Sequence, residues 1–540
     1  MATDHPKKAS KKSKTGARRV SRSRPAARAT AARKPKTVRV PKTTAAGNLP
    51  KLRVRMYRQG LGDCFLLTFN PGGEEKHILI DCGTLGSKYT DVKLPDVIAD
   101  IDKTTSGHLH LVVATHQHQD HLSGFGRVAD QFGATEKKID HVWMAWTENP
   151  KDPFAKKLTK VRDDMAIAVT AAAQALRVAG GNNQMAADVE SLLGFFGETK
   201  VVLPAAGQPG GVTFLAAATK SIDAVRGLTK QPEYRIPGEP AIELDWLPGF
   251  RFFVLGPPRN LDAIHDTGEH GSSELYALTA LTRAALQQMG AARKTKADDS
   301  TAEAPFDTRF RLAKNDLRIA DAFGATYLDR FEAWRSIDTD WLNSASNLAI
   351  QLDKFTNNTS LVLAIERVAD GKVLLFPGDA QEGNWLSWHD PSIKWEVTGT
   401  DGKKAAVTAK DLLARTVFYK VGHHSSHNAT AKGKGLELMT SQSELIAFIP
   451  VDRQVALGRS PAGTWKMPAR QLYRSLMEKC QGRVVRSDVG WATNVKAGTR
   501  GTESEFVGLG KDSEWSAWTK AQQAAKHVQI EASYIDFLLV

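Results

Sequence analysis

From Leu52 onward the chain alternates. Leu52, Val54 and Met56 are apolar and Arg53 and Arg55 polar, the period-two pattern of a half-buried strand. Gly60-Leu61-Gly62-Asp63 predicts a turn, and residues 64–69 a second strand. Asn70-Pro71-Gly72-Gly73 turns again, and residues 77–80 predict a third strand running into Asp81-Cys82-Gly83. Residues 91–103 have helical spacing. Leu109 to Ala114 is an apolar run broken only by His110, as expected of a strand covered on both faces. Clustered strands followed by strand–loop–helix units predict a layered α/β body.

Two stretches interrupt that pattern and read as helical insertions. Residues 151–198 carry helical spacing through Met165, Ala168, Val169, Ala172 and Leu176. Residues 271–345 form a second helix-rich block, broken by the polar run from Arg293 to Ser300. Residues 357–495 return to strand–turn–helix alternation, with apolar strands expected at 373–376 and 416–421. The pattern therefore divides the chain into a tail (1–50), a body (51–495) and a C-terminal extension (496–540) that takes no assignment.

Charge separates the tail from the body. The 540 residues carry a formal net charge of +14. Residues 1–50 hold fifteen Lys and Arg against one acid, Asp4, which accounts for the whole excess. A segment so poor in large apolar side chains cannot offset its ordering entropy, so disorder is expected there. Two readings stand side by side, a tether for nucleic acid that neutralises phosphates and a solubility tail without a specific partner. For the chain as a whole, 41% hydrophobic and 24% charged residues exclude a wholly disordered protein. No apolar run approaches the ~20 residues that cross a bilayer, and no apolar stretch follows the basic start as in a secretory signal. Cys64, Cys82 and Cys480 form no CxxC pair, so a soluble protein of the reducing cytoplasm is expected.

The strongest chemical signal is Thr115-His116-Gln117-His118-Gln119-Asp120-His121, directly after the apolar run. In an extended segment His116 and His118 point the same way, so both imidazoles can reach one metal ion. Asp120 and His121 then open a helix and can face a second ion. A lone histidine is usually structural, but three with an aspartate in six residues is another matter when the chain has only 15. Distant segments offer partners. Pro377-Gly378-Asp379 delivers a carboxylate at a strand end, and Gly422-His423-His424-Ser425-Ser426-His427 follows another strand.

These motifs resemble those of metallo-β-lactamase-fold hydrolases, most of all the ComEC-type competence-protein hydrolase domain. Gly60-Leu61-Gly62-Asp63 resembles its opening GxGD, and Leu79-Ile80-Asp81-Cys82-Gly83 the early hydrophobic-Asp-x-Gly motif. Asn358-Thr359-Ser360-Leu361-Val362-Leu363 with Leu375-Phe376-Pro377-Gly378-Asp379, and Tyr419-Lys420-Val421-Gly422-His423-His424-Ser425, resemble its later runs. Met467-Pro468 and Arg486-Ser487-Asp488 resemble its last two signatures. The resemblance implies a four-layer αββα sandwich and a metal set of His116, His118, Asp120, His121, Asp379 and His424, with Asp379 bridging two divalent ions. It further implies that Asp81 holds the ligand loop, that Asp120 orients the nucleophile, and that His423 faces substrate or supports His424. A His/Asp set without cysteine suits zinc, with manganese or iron as alternatives. Lys420 reads first as an ordinary exposed strand residue, the alternative being a contact to a phosphate or to the leaving group.

Three positions depart from the family pattern. Ser425 stands where glycine is usual and Met467 where histidine is usual. The segment Phe253 to Asn260 lacks the histidine that the wider fold uses as a third ligand of the first metal; His265 and His270 follow closely as substitutes. His141, in an expected strand, reads as structural. The expected activity is metal-dependent hydrolysis of phosphodiesters, a nuclease or phosphodiesterase. The alternatives are a hydrolase of a small ester, lactone or thioester, and a nucleic-acid-binding protein with a structural metal site.

Overall fold

The alternation at the start of the body becomes the strand Lys51–Tyr57, and its apolar side chains turn toward a second sheet. The structure, a computed structural model, describes residues 51–133, 137–178, 183–197, 199–202, 213–265, 349–399, 401–459 and 465–539. The expectations for the basic tail (1–50) and for the second insertion (271–345) lie outside the described residues.

Eight strands form the first sheet, in the spatial order Val528–Ile530, Tyr534–Leu539, Lys51–Tyr57, Cys64–Asn70, Lys76–Cys82, His108–Ala114, Lys138–Ala145 and Glu233–Arg235. Eight more form the second: Gly490–Trp491, Val484–Arg486, Ile446–Ile449, Thr416–Lys420, Lys372–Phe376, Val362–Arg367, Phe250–Gly256 and Ile242–Glu243. Each sheet has an antiparallel part and a parallel part, and the second closes on Gly490–Trp491, antiparallel to Val484–Arg486. Lys76–Cys82, His108–Ala114 and Lys138–Ala145 run parallel in the first. Lys372–Phe376, Thr416–Lys420, Ile446–Ile449 and Val484–Arg486 run parallel in the second.

Period-two side chains from both sheets meet in one core. Val54, Met56, Ile80 and Val113 pack there with Val254, Leu374, Phe376 and Phe418. The opposite faces are covered by helices. Leu79, Val112 and Val142 pack beneath Leu94–Thr105, Phe125–Phe132 and Ala217–Gly227. Leu375, Tyr419 and Ala447 pack beneath Ala409–Ala414, Arg470–Lys479 and Asp512–Ala524. Helix, sheet, sheet, helix is the expected αββα order.

Residues 496–540, which take no assignment from sequence, supply two of these layers. Trp515 and Trp518 on Asp512–Ala524 enter the outer core of the second sheet. Tyr534–Leu539 pairs antiparallel with Lys51–Tyr57, Leu52 opposite Leu539. The first insertion forms the helices Pro153–Val178 and Asn183–Leu193, whose Met165, Val169 and Val189 make a small core with Leu352. All three cysteines are buried and free. Among the described residues no helix is long and apolar enough to cross a membrane.

The parallel strands matter most for chemistry. Asp81 ends one and Thr115 follows its neighbour; Asp379 and His424 follow two parallel strands of the other sheet. Loops at the carboxyl ends of parallel strands are free to carry functional side chains on a rigid frame.

Candidate metal centre

The loop after His108–Ala114 is held from below by one side chain. Asp81, with a left-handed backbone (φ 54°), accepts the Thr115 N–H at 2.8 Å and the Thr115 hydroxyl at 2.7 Å, and pairs with His121 Nδ1 at 2.7 Å. Gly83 completes the support by absence: a Cβ there would lie 2.4 Å from the Asp120 carbonyl carbon. The loop can sit this low only over glycine. His118 stays extended and caps the short helix Gln119–Leu122, which presents Asp120 and His121 inward.

Four of the expected ligands converge. One ligand atom from each of Asp120, His121, Asp379 and His424 lies within 4.8 Å of the others, and all four residues are buried. Their far sides fix what the near sides can do. His121 Nδ1–H donates to Asp81 and His424 Nδ1–H to the Pro450 carbonyl at 2.6 Å, so in each neutral ring the lone pair is on Nε2. His121 Nε2 lies 3.1 Å from Asp379 Oδ2, and His424 Nε2 lies 2.7 Å from Asp120 Oδ2. Asp379 Oδ1 is occupied by the His423 N–H at 2.7 Å and the Lys420 ammonium at 3.1 Å. Asp379 Oδ2, Asp120 Oδ1, His121 Nε2 and His118 Nε2 are buried without a hydrogen-bond partner. Unpaired buried polar atoms are costly, and those of Asp379, Asp120 and His121 belong to residues of the converging group, which His116 and His118 do not join.

Electrostatics agrees with that geometry. Burial opposes a charge on His121, but Asp379, Asp63, Asp81 and Asp120 outweigh it and hold its pKa well above the ordinary value. His424 is likewise raised, by its bond to Asp120 and by Asp379, against burial. Carboxylates that favour a proton at these Nε2 atoms favour a metal cation in the same place. The residues therefore fit a divalent ion.

His116 and His118 meet at one edge of this group. His116 Nε2 lies 3.1 Å from His118 Nδ1, and His116 Nδ1 lies 3.1 Å from the Thr115 hydroxyl, which is itself committed to Asp81. Two nitrogens on one tetrahedral zinc, each at about 2.0–2.1 Å, stand roughly 3.3 Å apart. Burial pushes His118 down to about 3 and His116 well below its ordinary value, so both are neutral, the form that ligates. The His121 ring lies 4.2 Å from that of His116, and among the described residues the end of Phe250–Gly256 brings no further imidazole to the pair. Phe250–Gly256 leads into Pro257, whose carbonyl accepts the Trp146 indole N–H at 2.8 Å. His270 and the side chain of His265 lie outside what is described.

His423 and His424 part company through an unusual backbone. His423, His424 and Ser425 all take positive φ, 43°, 51° and 65°. This left-handed run turns the His424 ring toward Asp120 while the His423 amide caps Asp379. Conformations of this kind are strained and persist where the surroundings over-determine them; Ser425 adopts the one that glycine would take freely. The His423 ring accepts from Gln381 Nε2 at Nδ1, 3.3 Å away, which leaves its proton on Nε2. Burial pushes its pKa down to about 4. Met467, at the other departure, packs its side chain into the outer core of the second sheet.

Lys420 corrects the sequence reading. It is not an exposed strand residue: it is 1% exposed. Its ammonium pairs with Asp63 and Asp379 and donates to the Gly378 carbonyl at 2.7 Å. Asp63, the last residue of the GxGD turn, is thereby a buried member of the site that the motif alone did not place.

Asp353 is a further residue that sequence patterning does not single out. It is buried on the helical segment ahead of Asn358, with Oδ2 accepting from Asn357 Nδ2 at 3.1 Å and Oδ1 unpaired. Burial, then the charges of Asp120 and Asp379, push its carboxyl up to about 8. A carboxyl raised above its unfolded value of about 4 weakens the fold as pH rises through that window. Asp353→Asn is expected to stabilise the metal-stripped protein at pH 7 by on the order of a few kcal/mol, the gain shrinking toward pH 4. Urea titrations at both pH values check this, and an equal difference at both contradicts it.

The first insertion covers the centre with aromatic rings. Phe195 and Phe196, in the turn Gly194–Phe196, lie 5.2 and 5.0 Å from the His118 ring, and Trp465 stacks on Phe195 at 4.7 Å. A second HxH pair, His108 and His110 near Asp140, sits at the opposite end of the same strand. There His110 Nδ1 accepts the His77 N–H at 3.2 Å, so its lone pair is already engaged, and the two rings stack at 3.9 Å. His141 pairs with Glu233 and stacks on Trp246, a structural arrangement.

The family model of the metallo-beta-lactamase superfamily matches residues 57–198. The match takes in Asp63, Asp81 and the whole ligand loop, and stops short of Asp379 and His424. It implies a metal-dependent hydrolase. No curated protein matches the chain.

Proposed function

We propose that this protein is a phosphodiesterase acting on nucleic acid, using two divalent ions held between its two sheets. The observation that carries the metal site is the convergence of buried ligand atoms from Asp120, His121, Asp379 and His424, among which Asp120 Oδ1, His121 Nε2 and Asp379 Oδ2 have no hydrogen-bond partner. In this reading His116, His118 and Asp379 hold one ion, and Asp120, His121, His424 and Asp379 the other, zinc being the ion the donors suit best. Bound there, the ions would lower the pKa of a water toward ~7 and neutralise charge on phosphoryl oxygens.

The chain's own groups do the rest. Asp81, Pro450 and Thr115 hold three imidazoles in the ligating tautomer. Lys420 and the His423 amide occupy Oδ1 of Asp379, leaving Oδ2 for the ions. The proton on His423 Nε2 is a hydrogen-bond donor for a phosphoryl oxygen as negative charge develops there. Asp120 Oδ1 is free to accept from the attacking water. Nucleic acid is favoured as substrate by the ComEC-like run of motifs and by the basic residues of 1–50, which would act as a tether in the cytoplasm.

The test is cleavage of bis(p-nitrophenyl) phosphate and of a labelled oligonucleotide by the full chain loaded with zinc or manganese. EDTA, His118→Ala and Asp120→Ala are each expected to abolish turnover of both while the circular dichroism spectrum is retained. Undiminished cleavage in both variants overturns the assignment.

A further inference from the structure

Two cations, Arg459 within reach of the charge of Asp120 and Lys88 beside Gly458, have no carboxylate partner among the described residues. Arg459 ends the helix Arg453–Arg459 and is half-buried, and Lys88 lies exposed in the loop after the third strand. Arg459 Nη2 donates to the Leu85 carbonyl at 2.6 Å, and among the described residues neither side chain makes an ion pair. Arg55, Arg251, Arg453, Arg474 and Arg486 pair with carboxylates, whereas Arg459, like Arg58 and Arg483, has a backbone carbonyl as its hydrogen-bond partner.

The Arg459 guanidinium is held by the Leu85 carbonyl, and Lys88 is anchored through its main-chain N–H. Asp452 accepts the Lys88 and Tyr89 N–H groups at 2.7 and 2.9 Å, which ties the loop to the start of the Arg459 helix. Two glycines leave the space the cations fill. A Cβ on Gly458 would lie 2.7 Å from Lys88 Nζ, and one on Gly194 would lie 3.0 Å from Arg459 Nη1. Gly194 opens the same turn that lays Phe195 and Phe196 against His118, so the guanidinium borders the cover of the metal centre. Burial lowers the Arg459 pKa, and the charge that partly restores it is that of Asp120, an expected metal ligand.

We propose that Arg459 and Lys88 form a subsite for the phosphate next to the scissile one in a polynucleotide strand. This rests on the phosphodiesterase reading above and adds to it the place where a neighbouring phosphate of the strand is bound. Arg459 supplies a planar donor pair fixed by Leu85, and Lys88 a mobile point charge, a combination suited to a tetrahedral anion. A small neutral ester has nothing for either group to bind. A guanidinium that served only to finish its helix would gain little here, because the helix dipole is weak at an exposed end.

The experiment compares the full chain with the Lys88→Ala/Arg459→Ala double variant on a ten-nucleotide single strand and on bis(p-nitrophenyl) phosphate, which has no flanking phosphate. The KM for the oligonucleotide is expected to rise about tenfold or more, with kcat little changed, and by far more than the KM for the small diester. The salt dependence of oligonucleotide KM should fall by a logarithmic slope of about 0.7, as loss of one phosphate contact on a single strand requires. Arg459→Lys, in the Lys88 background, should recover part of the loss. An equal effect on both substrates, or none on either, overturns the subsite and leaves the phosphodiesterase reading intact. Failure of the unaltered protein to cleave either substrate overturns both.

Discussion

Asp379→Asn is expected to yield a folded protein that binds at most one divalent ion per chain and has lost hydrolytic turnover by more than about a hundredfold. The reason lies in the two oxygens. Oδ1 accepts the His423 N–H and the Lys420 ammonium, so an amide at this position must turn its oxygen to those donors. Its NH₂ then occupies the place of Oδ2, the atom now 3.1 Å from His121 Nε2 and without a hydrogen bond. A group without a lone pair cannot bridge two cations. Folding should survive, because the change removes one of several buried carboxylates gathered around Lys420 and leaves Asp63 to pair with it. Metal analysis by mass spectrometry, with turnover of bis(p-nitrophenyl) phosphate, checks the prediction. Two tightly bound ions with normal turnover would mean that Asp379 does not bridge.

The reach of the sequence follows the range of the interactions. Alternation at Leu52, Val54 and Met56 and the apolar run before Thr115 are local patterns, and both became strands facing the inter-sheet core. His116 to His121 were legible as a group because one strand end and one helical turn bring them together. Lys420 was not. A lysine at the end of a strand is usually solvated, and only the fold reveals that Asp63, from a turn in the other sheet, comes to meet it. Asp353 escaped for the same reason, since a single carboxylate in a helical stretch carries no periodic signal. The strands near the C-terminus are short, and their partner is the first strand of the body, so nothing in their own sequence announces the pairing. The separation of His423 from His424 depended on three left-handed residues, one of them serine, where composition gives no warning.

Lys420→Met is expected to destabilise the metal-free protein by roughly 3–5 kcal/mol, the range seen when one partner of a buried ion pair is removed. Methionine fills much of the same volume, so the loss is electrostatic rather than a cavity. It leaves Asp63 and Asp379 facing each other's charge in a site closed to water. Burial already pushes Asp63 up to about 6 with the ammonium beside it. Without that ammonium the carboxyl rises further and takes up a proton near neutral pH, which limits the loss. The sign of the pH dependence follows. A carboxyl whose folded pKa exceeds its unfolded value of about 4 costs more stability as pH rises, so the penalty should grow between pH 6 and 8. Lys420 itself contributes nothing to that slope, since its own raised pKa lies above this window. Adding Asp63→Asn to Lys420→Met removes the stranded carboxylate and should recover part of the stability, a coupling that independent sites would not show. Urea denaturation of the two single variants and the double variant, at pH 6 and 8 in EDTA, measures it. If Lys420→Met costs no more than a surface lysine substitution, within about 0.5 kcal/mol, then the ammonium is not what balances Asp63 and Asp379.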